Sequence, residues 1–265
     1  MVDVVIPIYK DVPGSDDLIS LNRATEILRN YKITFIHPKS LDIIPYQQFS
    51  FNSLAFDDYF FDGIYGYNQL MLNLDFYRSF NEKYILIYQT DCFVFEDHLM
   101  DWCRKNFDYI GAPWIRSFED IPFLKGLWDK GLYKLKSLVN YNGNGKWQKD
   151  KTLLYNEVGN GGLSLRKREK FIEILKQLDE VVKVYLKPEN RGEFYAEDVF
   201  FSIEPKRNNI EFYKPDYKQA CLFAIENKQK KAIDFNNGIL PFGCHRWDKE
   251  RHFWRPYFEK KGYIL

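Results

Sequence analysis

The chain has 265 residues, of which 45% are hydrophobic and 28% charged. That composition excludes a disordered or low-complexity protein and fits one globular α/β unit spanning 1–265. The formal net charge is +1, so no basic surplus argues for a nucleic-acid partner. No apolar run approaches the ~20 residues of a membrane span.

The aromatic share, 18%, suits an aromatic core or a binding face for flat and ring-shaped ligands. Cys92, Cys103, Cys221 and Cys244 match no zinc-site spacing and read as free thiols. The chain enters a strand-like run at Val2 with no basic leader, so the expected start is Met1 and the expected location cytoplasmic.

In chain order, Val2 to Tyr9 reads as a strand. Leu18 to Asn30 is a helix with a Leu18, Leu21, Thr25, Leu28 stripe. Lys32 to His37 is a second strand, stopped by Pro38. Tyr67 to Phe80 carries Leu70, Met71, Leu74 and Tyr77 at helical spacing, and Tyr84 to Tyr88 is a buried strand. A short helix is expected around Leu99 and Trp102, and a short strand at Asp108 to Gly111. This β-α-β rhythm predicts a mostly parallel sheet covered by helices.

The segment 118–154 is rich in glycine, aromatics and lysine, and is expected to be a mobile functional loop, lid or insertion. A strand follows Gly162. Lys167 to Val182 is an amphipathic helix, and Glu197 to Ile203 and Gln219 to Ile225 are two shorter ones.

Four constellations can carry chemistry. Asp91 follows the apolar run Tyr84 to Tyr88 and precedes Phe93, Val94 and Phe95. A lone carboxylate there is costly to bury without a partner, and strand ends in open α/β sheets are where ligands bind. It reads either as a metal or polar-ligand group or as a turn residue capping a helix near Glu96. Gly159, Asn160, Gly161 and Gly162 precede a strand, which marks close approach of something to the backbone, a ligand or a hairpin turn. Glu197 and Asp198 stand at a helix start, as caps or as a general base. His245 lies in a constrained turn after Pro241 and Gly243, as a surface residue or a metal ligand.

Together these blocks resemble nucleotide-sugar-dependent glycosyltransferases of the GT-A fold. They also look like a poorly characterised family of bacterial and viral glycosyltransferase-like domains. The blocks are Tyr84 to Phe95, Trp102 to Trp114, Val158 to Lys167, Glu197 to Phe200 and Pro241 to Trp247. They cover nearly the whole chain. The fold the resemblance implies is a GT-A, Rossmann-like, mixed but mostly parallel sheet flanked by helices.

The implied activity is transfer of a sugar from a nucleotide-diphosphate donor, expected to be a UDP-sugar, to a hydroxyl of a glycan or lipid-linked glycan, with inversion. The resemblance implies that Asp91 and His245 hold Mn2+ or Mg2+, which neutralises charge on the departing diphosphate. Phe93 departs from the family's Asp-x-Asp, where a second carboxylate is expected. Asp198 is the implied base, with Glu197 second. Pro7, Ile8 and Tyr9 are implied to meet the nucleotide, and Asn160, Gly161 and Gly162 the donor. Trp114 is placed against a sugar, Arg246 and Lys249 near the diphosphate. The basic, aromatic C-terminal segment, with Arg246, Arg251, Trp254, Arg255 and Lys260, reads as a clamp over the site or a peripheral membrane contact. A nucleotidyltransferase and a non-catalytic sugar-binding domain stay open as alternatives.

Overall fold

The computed structural model describes residues 1–116, 151–191 and 193–265, with helical fragments at 124–125, 127–128 and 131–132. The loop expected at 118–154 therefore lies almost wholly outside the described residues; Lys151–Leu154 form a 3-10 turn.

Six strands form the central sheet: β1 (Val2–Pro7), β2 (Lys32–Pro38), β3 (Asn52–Phe56), β4 (Tyr84–Tyr88), β6 (Tyr109–Ile110) and β7 (Leu163–Lys167). Their order is β3-β2-β1-β4-β7-β6. The pairs β3–β2, β2–β1 and β1–β4 are parallel, and β7 runs antiparallel to both β4 and β6. The sheet is the mixed, mostly parallel one expected. β1 and β4 are buried along their whole length, as their near-continuous apolar sequences require for a sheet covered on both faces. β3 carries no continuous apolar run and is largely exposed, which is why sequence reading missed it.

Helix boundaries moved where local capping overrides apolar periodicity. The first helix, α1, is Ser15–Ile27, three residues earlier than expected. Asp17 accepts the Gly14 amide at 2.8 Å and fixes the start. The expected helix 67–80 is two, Gly63–Met71 and Leu74–Arg78, because the Asn73 side chain caps a new start by accepting the Asp75 amide. The expected helix 167–182 also divides, into Arg168–Gln177 and Asp179–Tyr185. No helix begins near Glu96; the next one is Leu99–Arg104, so Asp91 caps nothing. Helix 219–225 ends at Phe223, and Ala224–Ile225 become a strand, β8.

β8 belongs to a second, three-stranded sheet with β5 (Phe93–Val94) and β9 (Gly243–Cys244), in the order β5-β9-β8. The C-terminal helix, Arg251–Glu259, covers it. Trp247, Trp254 and Phe258 are fully buried there with Phe93 and Phe95. The rings of Phe93 and Phe258 lie 3.9 Å apart. The C-terminal aromatics are thus core residues, and their burial stabilises by about 1.5–3 kcal/mol for a large apolar side chain. Among the described residues, no helix is long and apolar enough to cross a membrane. All four cysteines are free and buried. Burial pushes the Cys92 and Cys244 thiols well up, leaving them inert.

One buried ion pair ties the central sheet to the helix Glu197–Arg207. Arg166 on β7 is fully buried, donates to Glu197 Oε1 at 2.9 Å, to the Tyr77 hydroxyl at 2.9 Å and to Ser164 Oγ at 3.0 Å. Removing one partner leaves the other charge stranded. Arg166→Met should cost about 3–5 kcal/mol in urea denaturation, and the double change Arg166→Met, Glu197→Leu should recover most of it. A single-variant loss below ~1 kcal/mol would mean the pair does not hold these elements together.

Candidate functional site

Strand direction assembles the site. β1 and β4 are parallel neighbours, so Pro7–Tyr9 and Gln89–Asp91 leave the same edge of the sheet. β7 is antiparallel to β4, with Leu163 opposite Tyr88, so the glycines before β7 arrive at that edge too. The Gln89 amide donates to the Gly162 carbonyl at 3.0 Å. A cleft of about 470 Å³ opens there, lined by Pro7, Tyr9, Tyr67, Gln89, Asp91 and Lys249 among others. Tyr9 is 56% exposed. Ile8 is not part of the cleft: its side chain is buried in the core and its amide bonds to Ile36. Of the loop Pro7, Ile8 and Tyr9 expected to meet the nucleotide, Pro7 and Tyr9 line the cleft and Ile8 turns its side chain inward.

The second sheet delivers the histidine. β5 and β9 pair with Phe93 opposite Cys244, which carries His245 back to Asp91. The imidazole is buried. Its Nε2 stands 3.2 Å from Asp91 Oδ1 and 3.1 Å from Gln89 Oε1. Burial would lower the His245 pKa, but the charge and hydrogen bond of Asp91 raise it overall. Burial would likewise raise Asp91, yet His245 holds its carboxyl below the usual range. Each group thus favours the charged form of the other.

Three acceptor-capable atoms, an imidazole nitrogen, an amide oxygen and a carboxylate oxygen, converge here. Their lone pairs repel unless a proton or a cation stands among them. Asp91 Oδ1 is buried without a hydrogen bond of ordinary geometry. This donor set of one nitrogen and two oxygens suits a hard or borderline divalent cation. Asp91, Cys92 and His245 offer ligand atoms within 4.8 Å of one another. The Cys92 thiol, however, donates to the Gly162 carbonyl at 3.2 Å, so it does not join that set.

The glycine block serves packing first. A Cβ at Gly162 would lie 2.1 Å from His245 Nε2, and one at Gly161 would lie 2.0 Å from Glu197 Oε1. The close approach read from the sequence is real, and the groups that approach are the chain's own. Asn160 is spent inside the protein as well. Its Nδ2 donates to Glu226 Oε2 at 2.7 Å and its Oδ1 accepts the Gly162 amide at 3.1 Å. Trp114 lies against Gly159.

At the helix Glu197–Arg207 the two acids separate by burial. Glu197 is 2% exposed and bound to Arg166, and its amide donates to Asn68 Oδ1. Asp198 is half-buried. Burial first, and the charge of Glu197 second, push its carboxyl up to about 8, with Glu226 adding to the shift. A carboxyl with that value can take up and release a proton near neutral pH.

Sequence reading missed Glu226. It directly follows β8, whose parallel pairing with β9 sets Ile225 beside Cys244. The available signal was the apolar run Cys221 to Ile225 ending in an acid, the same arrangement as Tyr84 to Asp91. Gln89 was overlooked because an amide carries no charge. Arg246 donates to Glu226 Oε1 at 3.2 Å, and Lys249 lines the cleft.

The architecture is similar to that of solved glycosyltransferases. The galactosyltransferase LgtC, solved with donor and acceptor sugar analogues, has 12% identity and a TM-score of 0.51, over 92% of this chain and 86% of that one. Mouse xyloside xylosyltransferase 1, in its apo form, has 11% identity and a TM-score of 0.49, over 92% and 97%. Core-mannan synthase A of Aspergillus fumigatus, in a Mn/GDP form, has 10% identity and a TM-score of 0.49, over 77% and 69%. The likeness to LgtC shows that the fold is GT-A. No curated protein matches the chain in sequence. The model of one protein family, described as a protein of unknown function, DUF5672, matches residues 50–245, and the chain therefore belongs to the DUF5672 family.

Proposed function

We propose that this protein transfers a glycosyl group from a nucleotide-diphosphate sugar to an acceptor hydroxyl. The observation that carries this reading is the meeting of Asp91, Gln89 and His245 at the carboxyl edge of the parallel strands. A UDP-sugar is the proposed donor and a glycan or lipid-linked glycan the proposed acceptor.

Asp91 Oδ1 and His245 Nε2 would hold one divalent cation, manganese or magnesium, with Gln89 Oε1 beside them. When bound, the cation neutralises charge on the departing diphosphate. The chain's own residues do the rest. Tyr9 offers an exposed ring beside Pro7 for the nucleotide base to stack on. Lys249 adds positive charge at the cleft. Gly162 admits the imidazole, and Asn160 fixes the Gly162 amide. Asp198 accepts the proton of the acceptor hydroxyl. Glu197, tied to Arg166, keeps that carboxyl poised. A single base with no covalent intermediate gives inversion at the anomeric carbon.

Chelation followed by a thermal-shift series with nucleotides and nucleotide sugars tests the cation. A diphosphate nucleotide should raise the melting temperature in the presence of manganese and much less in excess chelator. Equal shifts in both would remove the cation from donor binding.

Asp198→Asn should lower turnover by about 10²–10⁴-fold with donor affinity unchanged. The raised carboxyl has a definite sign: below pH about 8 it is protonated and cannot accept a proton. kcat/KM in the wild type should therefore rise with pH to a plateau above about 8. A profile flat from acid to alkaline pH, or retention of configuration in the product, removes Asp198 as the base.

Gly162→Ala drives a methyl group into the imidazole. The manganese-dependent thermal shift should disappear in that variant while the metal-free melting temperature moves by only a few degrees.

A further inference from the structure

We infer that Glu226 is a positioning residue that sets His245 and Asn160 in place; this rests on the reading of Asp91 and His245 as cation ligands. The side chain of Glu226 is 8% exposed, and a carboxylate that deep is costly unless its oxygens are engaged. Each oxygen is directed at a different part of the site. Oε2 accepts from Asn160 Nδ2 at 2.7 Å. Oε1 accepts from Arg246 Nη1 at 3.2 Å and faces His245 Nδ1 at 3.9 Å.

The histidine end defines the role. Nε2 is turned to Asp91 and Gln89, so the opposite edge of the ring presents Nδ1 to Glu226. Nδ1 is buried and takes no hydrogen bond in this arrangement. A cation held at Nε2 would take the place of any proton there, and the ring's one remaining proton would then sit on Nδ1, facing Glu226. Closing the gap by roughly 1 Å would make an ordinary hydrogen bond. A carboxylate or carbonyl behind a ligating imidazole orients the ring and raises its basicity, and its loss weakens metal binding by about 10–100-fold.

The other arm reaches the glycines. Glu226 holds Asn160, and Asn160 holds the Gly162 amide. Gly162 is the residue whose bare Cα makes room for the same imidazole. Glu226 therefore steadies His245 from behind and also steadies the backbone against which the ring lies. Arg246 adopts a left-handed backbone, with φ of 54°, a conformation that crowds the Cβ of a non-glycine residue. Such strain persists only where neighbouring contacts enforce it; here the Arg246 side chain returns to Glu226. The residue also supplies a carboxylate in a site where Phe93, buried in the aromatic cluster, stands in place of the expected second acid.

The test is Mn2+ binding to the purified chain, read from the electron paramagnetic resonance signal of free Mn2+. The proteins are the wild type, Glu226→Gln, Glu226→Ala and His245→Ala, with melting temperatures in metal-free buffer. Binding should weaken about 10–100-fold in Glu226→Ala and by a smaller factor in Glu226→Gln, which keeps an acceptor for Asn160. Mn2+ affinity within twofold of wild type in both Glu226 variants, alongside its loss in His245→Ala, overturns this inference and leaves the cation reading standing. Absence of Mn2+ binding to the wild type overturns the cation reading itself.

Discussion

The imidazole of His245 occupies the space that a side chain on residue 162 would fill, and the geometry of the candidate site follows from that contact. With the ring pressed onto the backbone before β7, its Nε2 has one direction left, toward Gln89 and Asp91. The two sheets meet at this point. β4 and β7 supply the floor from the central sheet, while β9 brings the histidine from the small one. A close-packed interior tolerates no extra methylene without displacement, so a glycine here is a steric requirement. Gly161 meets the same constraint one residue earlier, where Glu197 leans against it.

Burial then divides the acids by task. Glu197 and Asp198 are neighbours in sequence at one helix start, yet among the described residues only Glu197 has an arginine partner. Arg166 is fully buried against Glu197, and the charge of Glu197 helps hold the Asp198 carboxyl up to about 8. Asp91 moves the opposite way through its histidine. Carboxyl groups within one site thus differ in proton affinity through partners that are themselves out of contact with solvent, which is how one fold keeps an acid and a base at the same pH.

The strands β1, β2 and β4 were legible because their apolar runs are nearly continuous, as two-sided burial demands. Asp91 and His245 were joined only through the family resemblance, since about 150 residues separate them and the pairing of Phe93 with Cys244 that brings them together leaves no local signal. Other features left weaker traces. A two-residue strand such as β8 has no periodicity, so Ala224 and Ile225 read as the tail of a helix and Glu226 went unnoticed behind them. The breaks at Asn73 and Leu178 were hidden by apolar residues that keep helical spacing across a cap. Ile8 lies between Pro7 and Tyr9 and was grouped with them, although alternation along an extended chain turns it into the core. The glycines announced a close approach but not its identity, since absence of a side chain is the same signal for a ligand and for an imidazole.

The antiparallel pairing of Phe93 with Cys244 joins positions about 150 residues apart in the chain. Chain closure over such a distance comes late, because its entropy must be met before the contact forms. The central sheet, from β1 to β4 and β7, gathers over about half that separation, with Val2 beside Tyr84 and Tyr88 beside Leu163. The cleft edge would then exist before the histidine arrives, and the aromatic cluster around Phe93, Trp247, Trp254 and Phe258 would act as the latch that completes it. Until residues 243–245 are in place Asp91 has no imidazole to pair with, so a chain stripped of its C-terminal helix would keep the strand-end edge and lose the support of the Asp91–His245 contact.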